Sequence, residues 1–390
     1  MFIRRIYSDN LFDYQREFAS SGINISIGNI RKDLNPHLTL KFGNFDPSYI
    51  PLFSAVLADN VVNYWSSGKN LFVTFYNWAQ IEKIFGTDSI QIPRLRQLIQ
   101  QLKSGLVKEN WEFNLQGGFL KVDRPLIMGI LNVTPDSFSD GGQFYRADQA
   151  YQHALRMVEA GADIIDIGAE STRPGAGAVD LKEEWRRLEG VLHKLRPEIS
   201  IPISIDTYKS EIARWALDSG ADIINDISGL TFDPQMVKVA SRVNCPVIVM
   251  HIKGTPRDMQ LNPHYDNLME ELHQFFQQQI EYAEGHGLSQ LILDPGIGFG
   301  KRLQDNLEII RRLTEFRSFG LPLLLGPSRK SFIGKVLDVD PEHRLMGTAA
   351  MVALALNNGA RILRVHDVAE MKQISGMVNA VNNSGFFRIE

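Results

Sequence analysis

Nine polar residues stand at, or just past, the ends of short apolar runs from residue 132 onward. They are Asn132, Arg173, Asp206, Asn225, His251, Asp294, Lys330, Arg364 and His366. A single polar residue in such a place is ordinarily a cap or a buried hydrogen-bond partner. Their recurrence at the same point of successive runs instead predicts one shared site, because the carboxyl ends of parallel strands meet at one edge.

Four of these side chains suit a flat heterocycle. Asp206, Asn225 and Asp294 offer carboxylate and amide groups to N–H donors and ring nitrogens. Lys330 would serve a carbonyl oxygen or a ring nitrogen in the same plane. Two apolar residues are either walls of this site or ordinary core residues, namely Met250 and Phe299.

A second group, Asn132, Arg364 and His366, suits a phosphate, either directly or through Mg²⁺, which prefers oxygen ligands. The polar loop 134–142 (TPDSFSDGG) is either a lid over the site or a plain surface loop. The sequence contains no GxSxG, HExxH or GxxxxGK[ST] motif. We therefore expect a site that positions a substrate with a good leaving group and stabilises charge, without a covalent nucleophile.

Eight apolar runs must position these groups, and amphipathic segments such as 181–195 and 265–287 lie between them. The runs are LIMGILNVT (126–134), ADIIDIGAES (162–171), PISIDT (202–207), DIINDISG (222–229), PVIVMHI (246–252), LILDPG (291–296), PLLLGPS (322–328) and ARILRVHDV (360–368). Continuously apolar strands are buried on both faces, and eight strand–helix repeats predict an α/β chain with a (β/α)8 TIM barrel. A doubly wound sheet is the alternative, but it usually has fewer strands and, for dinucleotides, GxGxxG after the first.

The residues before the barrel differ in composition, so we divide the chain into a smaller α+β N-terminal domain (1–122) and the barrel (123–390). Residues 1–120 contain 19 of the 37 aromatic residues, which excludes a disordered tail. The predicted elements are strands at Leu38–Phe42 and Leu71–Phe75, a helix at 92–102 and a hairpin at 108–122 with Gly117–Gly118 in its turn. None of them indicates a catalytic site.

Composition and charge exclude several classes of protein. A hydrophobic share of 44% and a charged share of 22% are typical of globular proteins. The net charge of −4 lacks the basic excess that nucleic acid binding needs. Charges interrupt every long apolar stretch, so we expect no membrane span and no signal peptide, and hence a cytoplasmic protein. The single cysteine, Cys245, precludes an intramolecular disulfide and is expected to be buried.

These motifs resemble, in order, those of the dihydropteroate synthases, a family of pterin-binding TIM-barrel enzymes. MGILNVTPDSFSDGG (128–142) and IDIGAESTRPGA (165–176) resemble the first two signatures. PISIDTYK, INDISG, VMHIKGTPRDMQ, LDPGIGFGK, SRKSFIG and RVHD then follow in register, almost to the C-terminus. The resemblance implies condensation of 6-hydroxymethyl-7,8-dihydropterin pyrophosphate with p-aminobenzoate, which gives dihydropteroate and pyrophosphate in folate biosynthesis.

The resemblance also implies roles for individual residues. The pterin would be held by Asp206, Asn225, Asp294 and Lys330, with Met250 and Phe299 against its faces. The pyrophosphate would be held by Asn132, Arg364 and His366, with Asn132 near Mg²⁺. The p-aminobenzoate pocket would be shaped by Phe138, Arg173, Pro174 and Ser331, and Asp140 would belong to the lid.

The implied mechanism is SN1-like: pyrophosphate leaves first, and a resonance-stabilised pterin cation then meets the aniline nitrogen. Asp206 and Asp294 would stabilise that cation, and Lys330 and Asp140 complete the expected catalytic set. The family resemblance further implies a homodimer and a sulfonamide target. Two departures, Ala169 in place of the usual Gly and Pro327 in place of the usual Thr, replace no proposed catalytic group.

Two other functions stay open at this point. A pterin-dependent methyltransferase uses the same barrel, but the segments NVTPDSFSDGG and SRKSFIG would have no role there. A catalytically dead barrel would be expected to have lost part of the set, which is intact. The N-terminal part, chiefly 38–62, faintly resembles the extension of some longer dihydropteroate synthases, and we expect it to be structural or oligomer-stabilising.

Overall fold

In the structure, a computed structural model, the 390-residue chain forms two compact units. One contains Met1–Lys108, Tyr265–His273 and Thr314–Gly320, and the other contains Glu109–His264, Gln274–Leu313 and Leu321–Glu390. The residues described are 2–6, 11–23, 38–43, 46–49, 57, 63–75, 78–85, 93–134, 143–171, 177 and 179–383. The barrel's unit begins at Glu109 and so includes the hairpin that the sequence assigned to the first domain.

The first unit contains an antiparallel sheet with strand order β1-β2-β4-β3. Its strands are β1 (Phe2–Ile6), β2 (Leu38–Gly43), β3 (Asn63–Ser67) and β4 (Asn70–Phe75). Its helices are α1 (Leu11–Ser20), α2 (Trp78–Phe85) and α3 (Pro93–Val107), with a short 3-10 helix at Pro47–Tyr49. Alternate residues of β2 and β4 join Ile81, Ile99 and Leu102 in one apolar core. The two predicted strands and the predicted helix of this part are thereby confirmed.

A hairpin opens the second unit, formed by β5 (Trp111–Leu115) and β6 (Gly118–Val122). Leu115 pairs with Gly118, so the turn residues are Gln116 and Gly117 rather than the predicted Gly117 and Gly118. The apolar residues Phe113, Leu120 and Val122 pack against residues near the amino ends of the barrel strands. The hairpin therefore closes the end of the barrel opposite the carboxyl ends.

The barrel is closed and parallel, with strand order β10-β11-β12-β13-β14-β7-β8-β9. Its strands are β7 (Leu126–Asn132), β8 (Ile164–Gly168), β9 (Ile203–Asp206), β10 (Ile223–Asp226), β11 (Val247–Met250), β12 (Leu291–Asp294), β13 (Leu323–Leu325) and β14 (Ala360–Val365). Every residue of β8, β10, β11, β12 and β13 is buried, as expected for strands covered on both faces. All eight apolar runs form strands, which confirms the predicted TIM barrel.

A helix follows each barrel strand. These helices are α4 (Gln143–Glu159), α5 (Leu181–Leu195), α6 (Ser210–Asp218), α7 (Met236–Val243), α8 (Leu268–Gly285), α9 (Leu303–Arg311), α10 (Ser331–Leu337), α11 (Leu345–Asn357) and α12 (Val368–Asn382), with 3-10 helices at Leu313–Phe319 and Pro341–His343. Helix α5 begins where the Asp180 carboxylate accepts the Glu183 backbone N–H, at 3.0 Å. No helix in the described part of the chain is long and apolar enough to cross a membrane.

Candidate active site

The carboxyl ends of the barrel strands surround a cavity with an empty volume of about 350 Å³. Asp206 and Asp294 are the last residues of β9 and β12, and Asn225 is the last but one of β10. Register places Asn225 beside Asp206 and Met250 beside Asp294 on neighbouring strands. Seven residues singled out in the sequence line this one cavity: Asp206, Asn225, Met250, Asp294, Phe299, Lys330 and Arg364.

Arg364, on β14, links two carboxylates at the base of this cavity. Its Nε donates to Asp166 Oδ2 and its Nη2 to Asp206 Oδ2, both at 2.6 Å. Asn225 Nδ2 also donates to Asp166 Oδ2, at 3.1 Å. Arg364 is therefore bonded to one carboxylate that lines the cavity, Asp206, and to the fully buried Asp166, although the sequence assigned it to the pyrophosphate group alone.

Asp166 is a site residue that the sequence reasoning missed. It lies in the middle of β8 and its side chain is fully buried, whereas the polar residues singled out in the sequence stand at strand ends. Its Oδ1 atom is buried and has no hydrogen-bond partner among the described residues. A charged residue inside a strand that is otherwise wholly apolar was the available signal, because buried carboxylates are rare unless they are paired.

Burial dominates the titration of the cavity groups. It raises the pKa of Asp206, although the Arg364 guanidinium opposes that rise. It also raises the pKa of Asp294, against the hydrogen bond from the Gly296 N–H, at 2.7 Å. Burial lowers the pKa of Lys330 to about 8, and the positive charge of Arg364 acts in the same direction. The cavity thus brings two carboxylates, Asp206 and Asp294, together with two cationic side chains, Lys330 and Arg364.

The turn after β13 aims Lys330 into the cavity. Arg329 has a φ of +56°, which is rare for a residue other than glycine. Its backbone N–H donates to Thr348 Oγ1 at 3.1 Å, and its carbonyl accepts from Arg344 Nη1 at 3.1 Å. The Arg329 guanidinium pairs with Asp367. These contacts hold the unusual conformation, after which Lys330 lies at the N-terminal cap of α10.

One wall of the cavity is apolar. Lys330 Nζ lies 4.2 Å from the centre of the Phe299 ring, in a cation–π arrangement. Phe299 packs against the buried cluster that contains Met250, Ile227 and Ile252. Met250 and Phe299 both line the cavity, and Met250 also belongs to the buried cluster.

Three predicted residues do not line the cavity. Asn132, the last residue of β7, lies across Gly168 from Asp206. The His366 ring Nδ1 lies 3.0 Å from Ser328 Oγ, and burial lowers its pKa to about 4, so the ring is neutral at pH 7. Ser331 is exposed at the start of α10, next to Lys330. These residues belong to elements that end at the same edge of the barrel.

The remaining predicted residues lie outside the cavity lining or outside the residues that the structure describes. The expected residues outside the described ranges are Phe138, Asp140, Arg173 and Pro174. His251, one of the nine polar strand-end residues, is buried, and its Nδ1 atom lies 3.0 Å from Lys301 Nζ. Cys245 is buried as expected, and burial raises its pKa to about 12, so it is not a nucleophile.

The oxygen donors at this edge of the barrel limit how Mg²⁺ could be held. No group of three or more histidine, cysteine or acidic residues in the described part of the chain could enclose a metal ion. Asn132 offers one amide oxygen at the edge of the site, beside the Asp206 side chain. Mg²⁺ commonly keeps several waters and takes one or two protein ligands together with substrate phosphates. The residues therefore fit a magnesium ion that arrives with a pyrophosphate substrate.

The family described as pterin binding enzyme matches residues 128–366. Dihydropteroate synthase of Synechocystis sp. is 51% identical over 261 residues, which cover 66% of this chain and 90% of the relative. The Escherichia coli enzyme is 46% identical over 267 residues, which cover 68% of this chain and 94% of the relative. About a third of this chain lies outside each of these two alignments.

Solved structures give the same result. Dihydropteroate synthase of Yersinia pestis in a sulfonamide drug complex has a TM-score of 0.67 and 44% identity, covering 70% of this chain and 100% of that one. The Xanthomonas albilineans enzyme in complex with 7,8-dihydropteroate has a TM-score of 0.64 and 38% identity, covering 70% and 99%. The family match and these near-complete relatives confirm the resemblance seen in the motifs. The chain therefore belongs to the dihydropteroate synthase family, the alkyl-transferring, pterin-binding enzymes of folate synthesis.

Proposed function

We propose that the cavity condenses 6-hydroxymethyl-7,8-dihydropterin pyrophosphate with p-aminobenzoate through an SN1-like departure of pyrophosphate. The observation that carries this proposal is the meeting of Asp206, Asp294, Asn225 and Lys330 in one cavity. The buried Asp166 carboxylate accepts hydrogen bonds from two residues of its lining, Arg364 and Asn225. Carboxylates that accept N–H donors also stabilise a cation on the ring that they hold. The set contains no nucleophile–base pair, so the chemistry rests on positioning and charge.

In this proposal, apolar side chains contact the faces of the pterin ring while polar side chains form hydrogen bonds with its edge. Asp206, Asn225 and Asp294 accept from or donate to its edge, and the Lys330 ammonium donates to a ring nitrogen or carbonyl oxygen. Phe299 and Met250 contribute the flat apolar surface, which lowers the polarity around the developing cation. Asp206 and Asp294 then stabilise the positive charge that appears when the carbon–oxygen bond to pyrophosphate breaks.

The leaving group is assigned to the adjacent polar residues. Arg364 already neutralises two carboxylates, and its guanidinium also reaches the cavity surface, where it would stabilise charge on pyrophosphate. His366 would donate one hydrogen bond as a neutral imidazole. Asn132 would hold Mg²⁺, and that ion, when bound, would neutralise phosphate charge.

We assign the second substrate from the family resemblance. Phe138, Arg173, Pro174 and Ser331 would form the p-aminobenzoate pocket, and Asp140 would belong to the lid. Since the Yersinia pestis relative has been solved in a sulfonamide drug complex, we propose that sulfonamides compete with p-aminobenzoate here too. A cytoplasmic location suits an enzyme of small, soluble substrates.

We further propose that the protein is a homodimer formed through consecutive helices of the barrel. Helices α10, α11 and α12 expose large apolar side chains: Val336, Leu337, Met346, Leu354, Met377 and Val381. Met346 is 78% and Met377 66% exposed, and apolar patches of this kind mark interaction sites. Sedimentation of the wild type and of Met377→Glu tests this: a dimer that dissociates in the variant supports it, and a wild-type monomer contradicts it.

The function is tested by an omission experiment on the full-length protein. Pyrophosphate release is measured with the pterin pyrophosphate, Mg²⁺ and p-aminobenzoate present, and each is then left out in turn. Formation of dihydropteroate by the wild type and its loss in Asp206→Asn support the proposal. Asp218→Asn, which changes an exposed carboxylate on α6, is the matched control. A folded wild type that binds the pterin but forms no dihydropteroate would contradict the proposed reaction.

A further inference from the structure

A buried lysine that takes no part in the mechanism above lies behind the apolar wall of the cavity. Lys301, seven residues past the end of β12, is only 3% exposed. Its Nζ atom lies 3.1 Å from the His251 carbonyl oxygen, 3.0 Å from His251 Nδ1 and 3.0 Å from the Phe299 carbonyl oxygen. Its hydrogen bonds are thus with two backbone carbonyls and an imidazole, and none is with a carboxylate in the described part of the chain.

These bonds join two segments that already lie in close contact. Gly296 has a φ of +65°, and a Cβ atom there would be 2.0 Å from the His251 carbonyl oxygen. Gly300 has a φ of +62°, and a Cβ atom there would be 2.3 Å from the Lys253 carbonyl oxygen. The loop 295–301 is therefore packed directly on the residues that follow β11, and only glycine fits at these two contacts.

The same loop forms part of the cavity surface. Gly296, Ile297 and Phe299 line the cavity, and the Phe299 ring lies under the Lys330 ammonium. The loop is also held by Asn306, whose Oδ1 accepts the Gly298 N–H at 2.6 Å. Lys301 is the side chain that binds the Phe299 backbone itself, so its position bears directly on where the ring lies.

Burial of an ammonium that has no hydrogen-bonded carboxylate is costly, and this cost favours the neutral form of the Lys301 side chain. Burial lowers the pKa of Lys301 to about 7. The carboxylates of Asp294 and Asp305 oppose that change, whereas Lys330 and Lys253 add to it. Burial likewise lowers the pKa of His251, so its ring is neutral and Nδ1 can accept the hydrogen bond from the Lys301 ammonium.

We propose that Lys301 is a positioning residue of the pterin site, which fixes the Phe299 wall by fastening loop 295–301 to the end of β11. It acts through Phe299 and touches no substrate. The inference rests on the proposed pterin site, which it deepens by assigning the residue that sets the distance between the wall and the ring-binding carboxylates.

The test compares Lys301→Met with the wild type. Methionine has a similar length and removes a buried charge, so the variant is expected to fold. It removes the hydrogen bonds that the Lys301 ammonium donates to the Phe299 and His251 carbonyls. We expect the Kd of 6-hydroxymethyl-7,8-dihydropterin, measured by calorimetry, to rise about tenfold. Mutation of residues that support a binding site from behind commonly weakens binding by about that factor. The Kd of inorganic pyrophosphate should change less than about twofold, because its proposed ligands do not contact Lys301.

Three further measurements make the outcome decisive. Lys301→Gln retains one N–H donor and should recover part of the pterin affinity, which a general loss of stability would not allow. Hydrogen exchange of peptides covering 295–301 should be faster in Lys301→Met, even without ligand. Lys238→Met, at an exposed position on α7, is the control and should match the wild type in every measurement.

Each failure has a distinct meaning. A folded Lys301→Met with wild-type pterin affinity would overturn the positioning role while leaving the proposed function intact. Equal losses for pterin and pyrophosphate would also overturn it, since they would indicate general damage. A wild-type protein that binds no reduced pterin would overturn the proposed function and this inference together.

Discussion

At the scale of single residues, the cavity is defined by charges that compensate one another. Arg364 binds Asp166 and Asp206, and Lys330, which lies over Phe299, interacts electrostatically with Asp206 and Asp294. An ionised side chain removed from water is stable only when partners satisfy it, so no member of this set acts alone. The site is therefore sensitive to pH, because burial raises the pKa of Asp206 to about 7 and lowers the pKa of Lys330 to about 8.

Lys330 should produce the alkaline limb of the activity profile. Its pKa is lowered to about 8, so the ammonium that donates to the pterin is present below that pH and lost as the pH rises through it. We expect kcat/KM for the pterin pyrophosphate to fall with an apparent pKa of about 8. In Lys330→Arg, the limb should disappear from the accessible range, since arginine stays charged. An unchanged limb in that variant would assign the titration to another group.

Asp166 shows where residue-level prediction stops. Most of the cavity could be located from the sequence because a polar residue that ends an apolar run has a visible position. Asp166 instead lies within such a run, and its role depends on Arg364, which is 198 positions away and meets it only when the barrel closes. Spacing along one strand contains no information on that contact, since barrel closure pairs β14 with β7, whose other neighbour is β8.

At the scale of elements, the loops above the strands are held by polar side chains behind the site. Lys209, just past β9, donates to Glu170 Oε2, Glu184 Oε2 and the Val179 carbonyl, each at 2.5 Å. Tyr208 also donates to Glu170, at 2.9 Å. This cluster ties the end of β8 to the start of α5 and to the segment that follows Asp206.

Lys209→Met should therefore destabilise the fold. Glu184, which is only 1% exposed, would lose its ammonium partner, and breaking such a buried pair costs about 3–5 kcal/mol. Urea unfolding measures the loss. Lys194→Met breaks a pair with Asp148 whose side chains are 45% and 59% exposed, so it should cost no more than about 1 kcal/mol. Similar decreases in the free energy of unfolding in the two variants would show that the buried Lys209 pair stabilises the fold no more than an exposed pair does.

Element boundaries could be predicted where local signals were strong. Helix α5 begins and ends at the predicted residues, because Asp180 caps it and apolar residues recur at helical spacing up to Leu195. The hairpin turn was wrong by one residue, since two adjacent glycines suit a turn in either register and cross-strand pairing decides between them. The turn position depends on how the two strands pair, and the residues of the turn alone do not determine that pairing.

At the scale of the whole molecule, the first unit contains residues that are distant in sequence. Arg4 donates to Glu315 Oε2 at 2.9 Å and also pairs with Glu17, and all three side chains are buried. Lys41 pairs with Glu270 in the same unit. Contacts across such separations depend on the tertiary fold, so a division of the chain by composition could not place residues 265–273 and 314–320 with the N-terminal sheet.

Arg4→Met should lower the free energy of unfolding by about 3 kcal/mol, because Glu17 and Glu315 would be left buried without their guanidinium. The double variant Arg4→Met, Glu315→Met should recover part of that loss, since it also removes the buried Glu315 carboxylate that Arg4 neutralises. Urea unfolding of the four proteins in this cycle gives the coupling. The KM values of both substrates should stay unchanged, and a specific rise in either would contradict the structural role we expect for this part of the chain.

The central claim is that the cavity stabilises a pterin cation and needs no nucleophile. The most direct test uses the pterin pyrophosphate labelled with oxygen-18 at the bridge to the methylene carbon, incubated with the protein and Mg²⁺ but without p-aminobenzoate. If pyrophosphate departs first and returns, the label moves to non-bridging positions, and this exchange should be lost in Asp294→Asn. Label that stays in the bridge while the same protein forms dihydropteroate when p-aminobenzoate is added would contradict the account.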